Sequence, residues 1–348
     1  MRKVRVGIVG AGKMGRTHID ALKDVEQGEA VALNDPANFP ETGPNLAREY
    51  GLDYENTLDA LLLRDDIDAV IITTPHALHA SHAIAALDAG KHVLVEKPLE
   101  LTLEKCDAII HAAKKSNRKL MVAHSHRYWE GDAVAKRLLD EGAIGNLLMC
   151  RDVLASPGYR KHNSERAWFT DLDLYGPGGL IAWGVHDIDR LRWWFNSEVN
   201  AVFASAYNLR TDVPGDRTSH MVMLSFVNGG SAHLLYSEAL PPPGWKGFSC
   251  NAQLIGDEGL MDVDPYNQVR VARKNSGQWE TVYDIKTVEN PRQKAFSDEV
   301  RDFISCIVNN TEPPVTGADG RAAVEIVLAA YHSGQTGESV KLPFKSTL

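Results

Sequence analysis

Val4-Arg5-Val6-Gly7-Ile8-Val9-Gly10-Ala11-Gly12-Lys13-Met14-Gly15 is the stretch on which the fold of this chain turns. A β-branched run ends directly in G-x-G-x-x-G, and residues 15–23 continue with helical spacing. In that order the glycines allow a sharp strand-to-helix turn and a close approach of backbone to a pyrophosphate. The phosphates then sit on the positive end of the helix. A second strand, residues 30–34, leads to Asp35, twenty residues after Gly15. A carboxylate there accepts hydrogen bonds from a ribose 2′-hydroxyl and repels a 2′-phosphate. The next residues, Pro36, Ala37 and Asn38, offer no arginine to receive that phosphate. The expected cofactor is NAD rather than NADP, held by Gly10, Gly12, Lys13, Met14, Gly15 and Asp35.

Outward from this stretch, strand-like and helix-like segments alternate. Residues 45–50 read as a helix, 69–73 as a strand, and 79–89 as an alanine-rich helix with Gly90 as its C-cap. Residues 92–95 read as a strand, 103–115 as a helix and 120–124 as a fifth strand. Alternation with short links requires crossover connections, so a doubly wound parallel sheet is expected, an α/β Rossmann domain over residues 1–125. Beyond it the texture changes. Residues 133–139 and 180–195 read as helices, and 155–179 as a long surface loop. Residues 221–227, 231–236, 251–255 and 269–272 read as a meander of antiparallel strands, and helices follow at 296–308 and 322–331. Residues 126–348 are therefore expected to form a second, α+β domain, with packing of its final segment back on the first as an option.

Composition bounds the function. The chain has 348 residues, 44% of them apolar and 24% charged, which suits an ordinary folded enzyme of two domains. Lys and Arg number 37 against 46 Asp and Glu, a formal charge of −9, which would repel a phosphate backbone, so nucleic acid is not an expected partner. No apolar run approaches the ~18 residues that cross a bilayer, so no membrane partner is expected either. Cys106, Cys150, Cys250 and Cys306 form no C-x-x-C pair and suit reduced, buried thiols in a cytoplasmic protein. His76, His79 and His82 recur at three-residue spacing, but no carboxylate or cysteine completes a ligand set, so no metal is expected.

The chemical signal lies where the fourth strand runs into Glu96-Lys97-Pro98. A lysine at the C-terminal end of a parallel strand stands in the crevice where such sheets bind ligands, and its ammonium can hydrogen-bond a substrate oxygen. Pro98 fixes the backbone just after it, with a cis bond as one option. In the loop before residue 180, Tyr159, Arg160, His162, Arg166, Trp168 and Tyr175 mix aromatic faces with donors, and Trp183 follows. Such a mixture suits a carbohydrate wall; a loop packed on its own aromatics is the other reading.

The motifs resemble those of the Gfo/Idh/MocA oxidoreductases over nearly the whole chain. They are the glycine fingerprint, Thr74-Pro75-His76-x-x-His79, Ala89-Gly90-Lys91-His92-Val93-x-x-Glu96-Lys97-Pro98-Leu99 and Arg127-Tyr128. Gly176-Pro177-Gly178-Gly179 leading to His186-Asp187-Ile188-Asp189, and Gly337-x-x-Val340-x-Leu342-Pro343, complete the set. The resemblance implies a second domain with a large, open, mostly antiparallel sheet, and homodimers or homotetramers built through it. It implies a nicotinamide cofactor with Thr74, Pro75, His76, His79, Glu96, Lys97 and Arg127 along it, and a sugar, cyclitol or related polyol as substrate. Lys97 would hydrogen-bond the reacting secondary hydroxyl while His186 exchanges its proton. Tyr128, Tyr159, Arg160, Arg166, Trp168, Trp183 and Asp189 are the candidate substrate contacts. One departure stands out: relatives with a lysine–aspartate–histidine set carry aspartate four residues before the histidine, where this chain has Ala182. Asp187, Asp189 and Asp173 are possible stand-ins, and a lyase, epimerase or glycosidase using NAD for a transient oxidation stays open as the alternative.

Overall fold

The computed structural model describes residues 2–35, 42–157, 168–169, 171–209, 218–241, 243–245 and 248–344. They fall into two compact units. One lies within Met1–Ser125, Ser164–Gly176 and Arg292–Arg321, the other within His126–Asn163, Pro177–Pro291 and Ala322–Leu348.

In the first unit β1 (Val4–Val9), β2 (Gly28–Asn34), β3 (Asp53–Tyr54), β4 (Ala69–Ile72), β5 (His92–Glu96) and β6 (Leu120–Ala123) form one sheet. Every pair is parallel, in the order β3-β2-β1-β4-β5-β6. The helices α1 (Lys13–Lys23), α2 (Thr42–Tyr50), α3 (Leu58–Leu62), α4 (His79–Asp88) and α5 (Leu103–Ser116) link the strands. Ala69, Val70, Ile71 and Ile72 are all fully buried. Cover on both faces is why such strands read as unbroken apolar runs rather than alternating ones. Caps fix the helix ends: the Ala60 amide donates to Thr57 Oγ1 at α3, the Lys105 amide to Thr102 Oγ1 at α5, and Gly90 takes φ +76° after α4. β3 and α3, two and five residues long, are too short to show a period in sequence and were not anticipated.

The chain continues through α6 (Glu130–Asp140), β7 (Leu147–Pro157), α7 (Leu172–Tyr175) and one π-helical turn, Leu180–Gly184, into α8 (Val185–Phe195). Then follow β8 (Val199–Tyr207), β9 (Ser219–Phe226), β10 (Ser231–Leu240), β11 (Ser249–Gly256), β12 (Gly259–Val263), β13 (Gln268–Arg273) and β14 (Trp279–Asp284). The last elements are α9 (Pro291–Asn309), α10 (Gly317–Thr336) and β15 (Val340–Lys341). The second unit is built on a nine-stranded sheet in the order β14-β13-β12-β11-β7-β10-β9-β8-β15.

This sheet corrects two expectations. The strands are not a simple antiparallel meander, because β7 pairs parallel with β10 while the other pairs run antiparallel. The stretch expected as a loop from residue 155 also begins inside β7 and contains α7. β7 escapes a pattern reading because Asp152, a fully buried carboxylate, occupies an inward position where the pattern demands an apolar residue. β9 by contrast alternates cleanly, with Val222 and Leu224 buried and Met221 and Met223 exposed.

Candidate active site

In the first unit the glycines do what their spacing demands. Gly10 lies at φ +110°, and a Cβ on Gly15 would stand 2.1 Å from the Gly10 carbonyl oxygen, so that turn admits no side chain at Gly15. A Cβ on Gly12 would meet nothing within 4 Å, so its lack of a side chain leaves open space rather than serving the protein's own packing. Gly12 is also the N-cap of α1 and supplies no side-chain cap, leaving first-turn amides for an anion. Lys13 and Met14 open that helix, and Asp35 follows the last residue of β2. These residues fit a dinucleotide.

Glu96 ends β5 and is buried, with one oxygen 2.9 Å from His18 Nε2. Burial alone would push its carboxyl up, but the His18 hydrogen bond and the charges of His18, Lys97 and His79 outweigh it and hold it below its ordinary value. Lys97 follows, half-buried, joined to Pro98 by a cis bond. His79 presents Nδ1 to the Pro98 carbonyl and Nε2 to the Thr74 carbonyl, each at 2.8 Å, and so ties the end of β5 to the turn after β4. Burial lowers its pKa against the pull of those two carbonyls and of Glu96 and Glu100. Thr74 is buried, Pro75 caps the short helix His76–Leu78, and His82 Nδ1 is 3.0 Å from the Thr74 hydroxyl. His76 Nδ1 is 2.8 Å from the Tyr175 carbonyl, and its ring packs edge-on to Trp168 and against Tyr175. Trp168 also stacks on Phe169, so this expected substrate contact sits in an aromatic cluster around His76.

In the second unit His186 is the second residue of α8, just after the π-helical turn, and is buried. Helix irregularities of that kind recur at functional sites. A cavity of about 280 Å³ lies in this unit, lined by Leu154, Ser156, Trp183, Tyr236, Ser237 and Glu238 among others. The Trp183 ring is 6.4 Å from that of His186. Gly179 is needed here, since a Cβ would lie 2.2 Å from the Tyr236 hydroxyl and 2.3 Å from a Glu238 carboxylate oxygen. Arg127 forms a two-pronged ion pair with Asp189, at 2.7 and 2.6 Å. Asp187 accepts from Arg190 at 2.8 Å. Both acids that follow His186 are therefore engaged with arginines, and buried Ala182 occupies the turn before it. Tyr128 is half-buried beside Arg127 in the chain. Tyr159, Arg160, His162 and Arg166 lie outside the described residues.

Sequence reasoning missed Tyr236 and Glu238, which sit on a strand read only for its hydrophobic pattern. It also missed His126 and Arg190, for which no local motif gives a signal.

Residues 4–124 match the family model described as "Oxidoreductase family, NAD-binding Rossmann fold", and residues 133–262 match "GFO/IDH/MocA C-terminal domain". The chain belongs to the Gfo/Idh/MocA oxidoreductase family. Among family relatives, the scyllo-inositol 2-dehydrogenase (NAD(+)) of Bacillus subtilis (strain 168) is 27% identical over 355 residues, covering 99% of this chain and 97% of that one. A 2,7-anhydro-N-acetylneuraminate hydratase of Mediterraneibacter gnavus is 31% identical over 189 residues, 54% of this chain and 48% of its own. Levoglucosan dehydrogenase in complex with NADH and levoglucosan superposes with a TM-score of 0.88 at 25% identity, covering 99% of this chain and 100% of that one. No helix among the described residues is long and apolar enough to cross a membrane.

Proposed function

We propose that this protein is an NAD-dependent dehydrogenase of a secondary hydroxyl on a sugar, cyclitol or related polyol. The observation that carries the reading is a cavity of about 280 Å³ whose lining offers Trp183, Tyr236, Ser237 and Glu238, with the ring of buried His186 6.4 Å from that of Trp183. Pockets for drug-sized ligands run to about 300–1,000 Å³, so this one suits a smaller molecule. An indole face for C–H surfaces and a carboxylate and hydroxyls for O–H groups suit a polyol. NAD, when bound, accepts the hydride; the rest falls to the chain's side chains. Lys97 donates a hydrogen bond to the reacting oxygen, and His186 takes the proton as the carbonyl forms. Asp35 accepts from the ribose 2′-hydroxyl and so favours NAD over NADP. The similarity to inositol and levoglucosan dehydrogenases supports the same substrate class.

A second reading, NAD-mediated transient oxidation during elimination, epimerisation or glycoside cleavage, is favoured by one observation. Ala182 leaves no carboxylate on the turn before His186, and one relative is named a hydratase, an activity without net redox. The test is to incubate the protein with NAD⁺ and a panel of cyclitols, sugars, sugar acids and glycosides, following nicotinamide absorbance and substrate consumption together. NADH accumulating with one substrate supports the dehydrogenase, whereas substrate loss without NADH supports transient redox. Lys97→Met is expected to abolish turnover with NADH affinity nearly unchanged, and full turnover in that variant removes Lys97 from the chemistry.

The second unit's sheet also supports self-association. Cross-strand register puts Phe203, Met223, Met149, Ile255 and Leu260 on one face, with Met221 beside them, and all six are exposed. A second copy of the chain is the proposed cover. The four cysteines are buried free thiols, which supports a reducing, cytoplasmic location.

A further inference from the structure

Two histidine rings lie against each other in the second unit. His126, in the turn after β6, stacks on His186 with centroids 4.6 Å apart and planes 26° from parallel. His126 Nε2 is 3.2 Å from the Tyr266 hydroxyl. Its Nδ1 is 3.5 Å from Asp132 Oδ2, within ion-pair reach, and neither of those two atoms has a hydrogen-bond partner among the described residues. Burial, with the charges of neighbouring acids behind it, pushes the Tyr266 phenol well up, so it keeps its proton and donates to Nε2. In the arrangement where Nε2 accepts from Tyr266, the Nδ1–H of His126 is directed at Asp132.

The charges behind this ring are uneven. Arg190, fully buried, is surrounded by Asp132 at 3.2 Å, Asp152 at 2.7 Å and Asp187 at 2.8 Å. Burial pushes Asp187 well above the ordinary carboxylate range, with Asp152 and Asp132 adding to the rise and Arg190 and a backbone hydrogen bond opposing it. Burial pushes Asp152 up as well, and it keeps the Cys250 thiol protonated. Arg190 therefore faces three carboxyl groups, of which Asp132 also stands 3.5 Å from His126. Arg127 and Asp189 pair with each other, and Arg192 stands 3.9 Å from Asp189.

We propose that His126 is a positioning residue for His186: its ring, aimed by Tyr266 and Asp132, orients the His186 imidazole and stabilises the proton that His186 takes from the substrate hydroxyl. The proposal rests on His186 being the base. It assigns to a ring stacked from another element the support that the methyl group of Ala182, on the turn before His186, does not supply. The Asp132 carboxylate, drawing on the Nδ1–H, loads negative charge onto the ring that faces His186, which favours an imidazolium there. Loss of that support lowers the pKa of His186.

The test is His126→Phe, which keeps a ring in the stack and removes both nitrogens. The acid limb of kcat/KM for oxidation is expected to move down by about one pH unit, equivalent to a tenfold change in proton affinity. The His186 imidazole titration, followed in ¹H–¹⁵N spectra and assigned by its loss in His186→Gln, is expected to move with it. A folded His126→Phe variant with both unmoved overturns the proposal. Should that variant fail to fold, Tyr266→Phe frees Nε2 to take a proton beside Asp132, and the like charge then pushes His186 the same way; an unmoved titration there also overturns it. Full turnover in His186→Gln would instead remove the base assignment itself, while the titration still reports whether His126 acts on His186.

Discussion

Asp35, directly after β2, is the residue proposed to separate two cofactors. Its carboxylate suits a 2′-hydroxyl and opposes a 2′-phosphate, so Asp35→Ala is expected to lower NADH affinity roughly tenfold while leaving NADPH affinity unchanged or raised, an effect of about 1.4 kcal/mol. Titration of both nucleotides by fluorescence checks it, and an undiminished preference for NADH would move the ribose contact elsewhere. Glu299 presents a different residue-scale problem, because it is fully buried and both its oxygens lack hydrogen-bond partners among the described residues. Burial first, then the charges of Glu96 and Asp302, raise its pKa well above the ordinary value. An acid with a raised native pKa keeps its proton while the unfolded chain loses one from about pH 4.3, so stability falls as pH rises, by about 1.4 kcal/mol per unit, until the native carboxyl ionises. Glu299→Gln removes that penalty. Urea unfolding between pH 5 and 7 should show the variant gaining on the parent as pH rises; parallel pH dependences would mean that native Glu299 is already ionised.

The β1–α1 junction is the element on which the proposed cofactor binding rests. The Gly10 carbonyl occupies the place where a side chain on Gly15 would go, so Gly15→Ala must push the start of α1 away from β1. The first-turn amides then lose their aim, and NADH affinity is expected to fall at least tenfold, with circular dichroism near that of the parent. Unchanged affinity would show that the turn can open without cost. This junction was legible in sequence because three glycines within six residues define a local backbone path. β7 was not, because its inward Asp152 is balanced by Arg190 on α8, 38 residues away in the chain. A pattern reading of one strand cannot see a partner on another element.

At the scale of the whole molecule, a sheet face carrying six large exposed apolar residues is the feature a monomer would avoid. Introducing charge at its centre with Met221→Lys/Met223→Lys is expected to shift the protein toward the monomer in sedimentation velocity, because neither side chain packs inside its own unit. An association state identical to that of the parent would place the interface elsewhere. The same scale decides the fate of Trp168. In sequence it is a candidate substrate contact or part of a loop packed on its own aromatics, and in the folded unit it lies among His76, Phe169 and Tyr175.

The parallel sheet, the dinucleotide turn, the lysine after β5 and the family follow from sequence alone, because each rests on short-range backbone chemistry: glycine freedom, a strand-to-helix junction, and apolar runs buried on both faces. The stacking of His126 on His186, the three acids around Arg190, the parallel entry of β7 and the buried carboxyl of Glu299 were decided by tertiary structure. Apart from Asp187 and Arg190, neighbours on one helix, these groups meet across tens of positions in the chain, and only packing brings them within reach of one another and removes the water that would otherwise screen them.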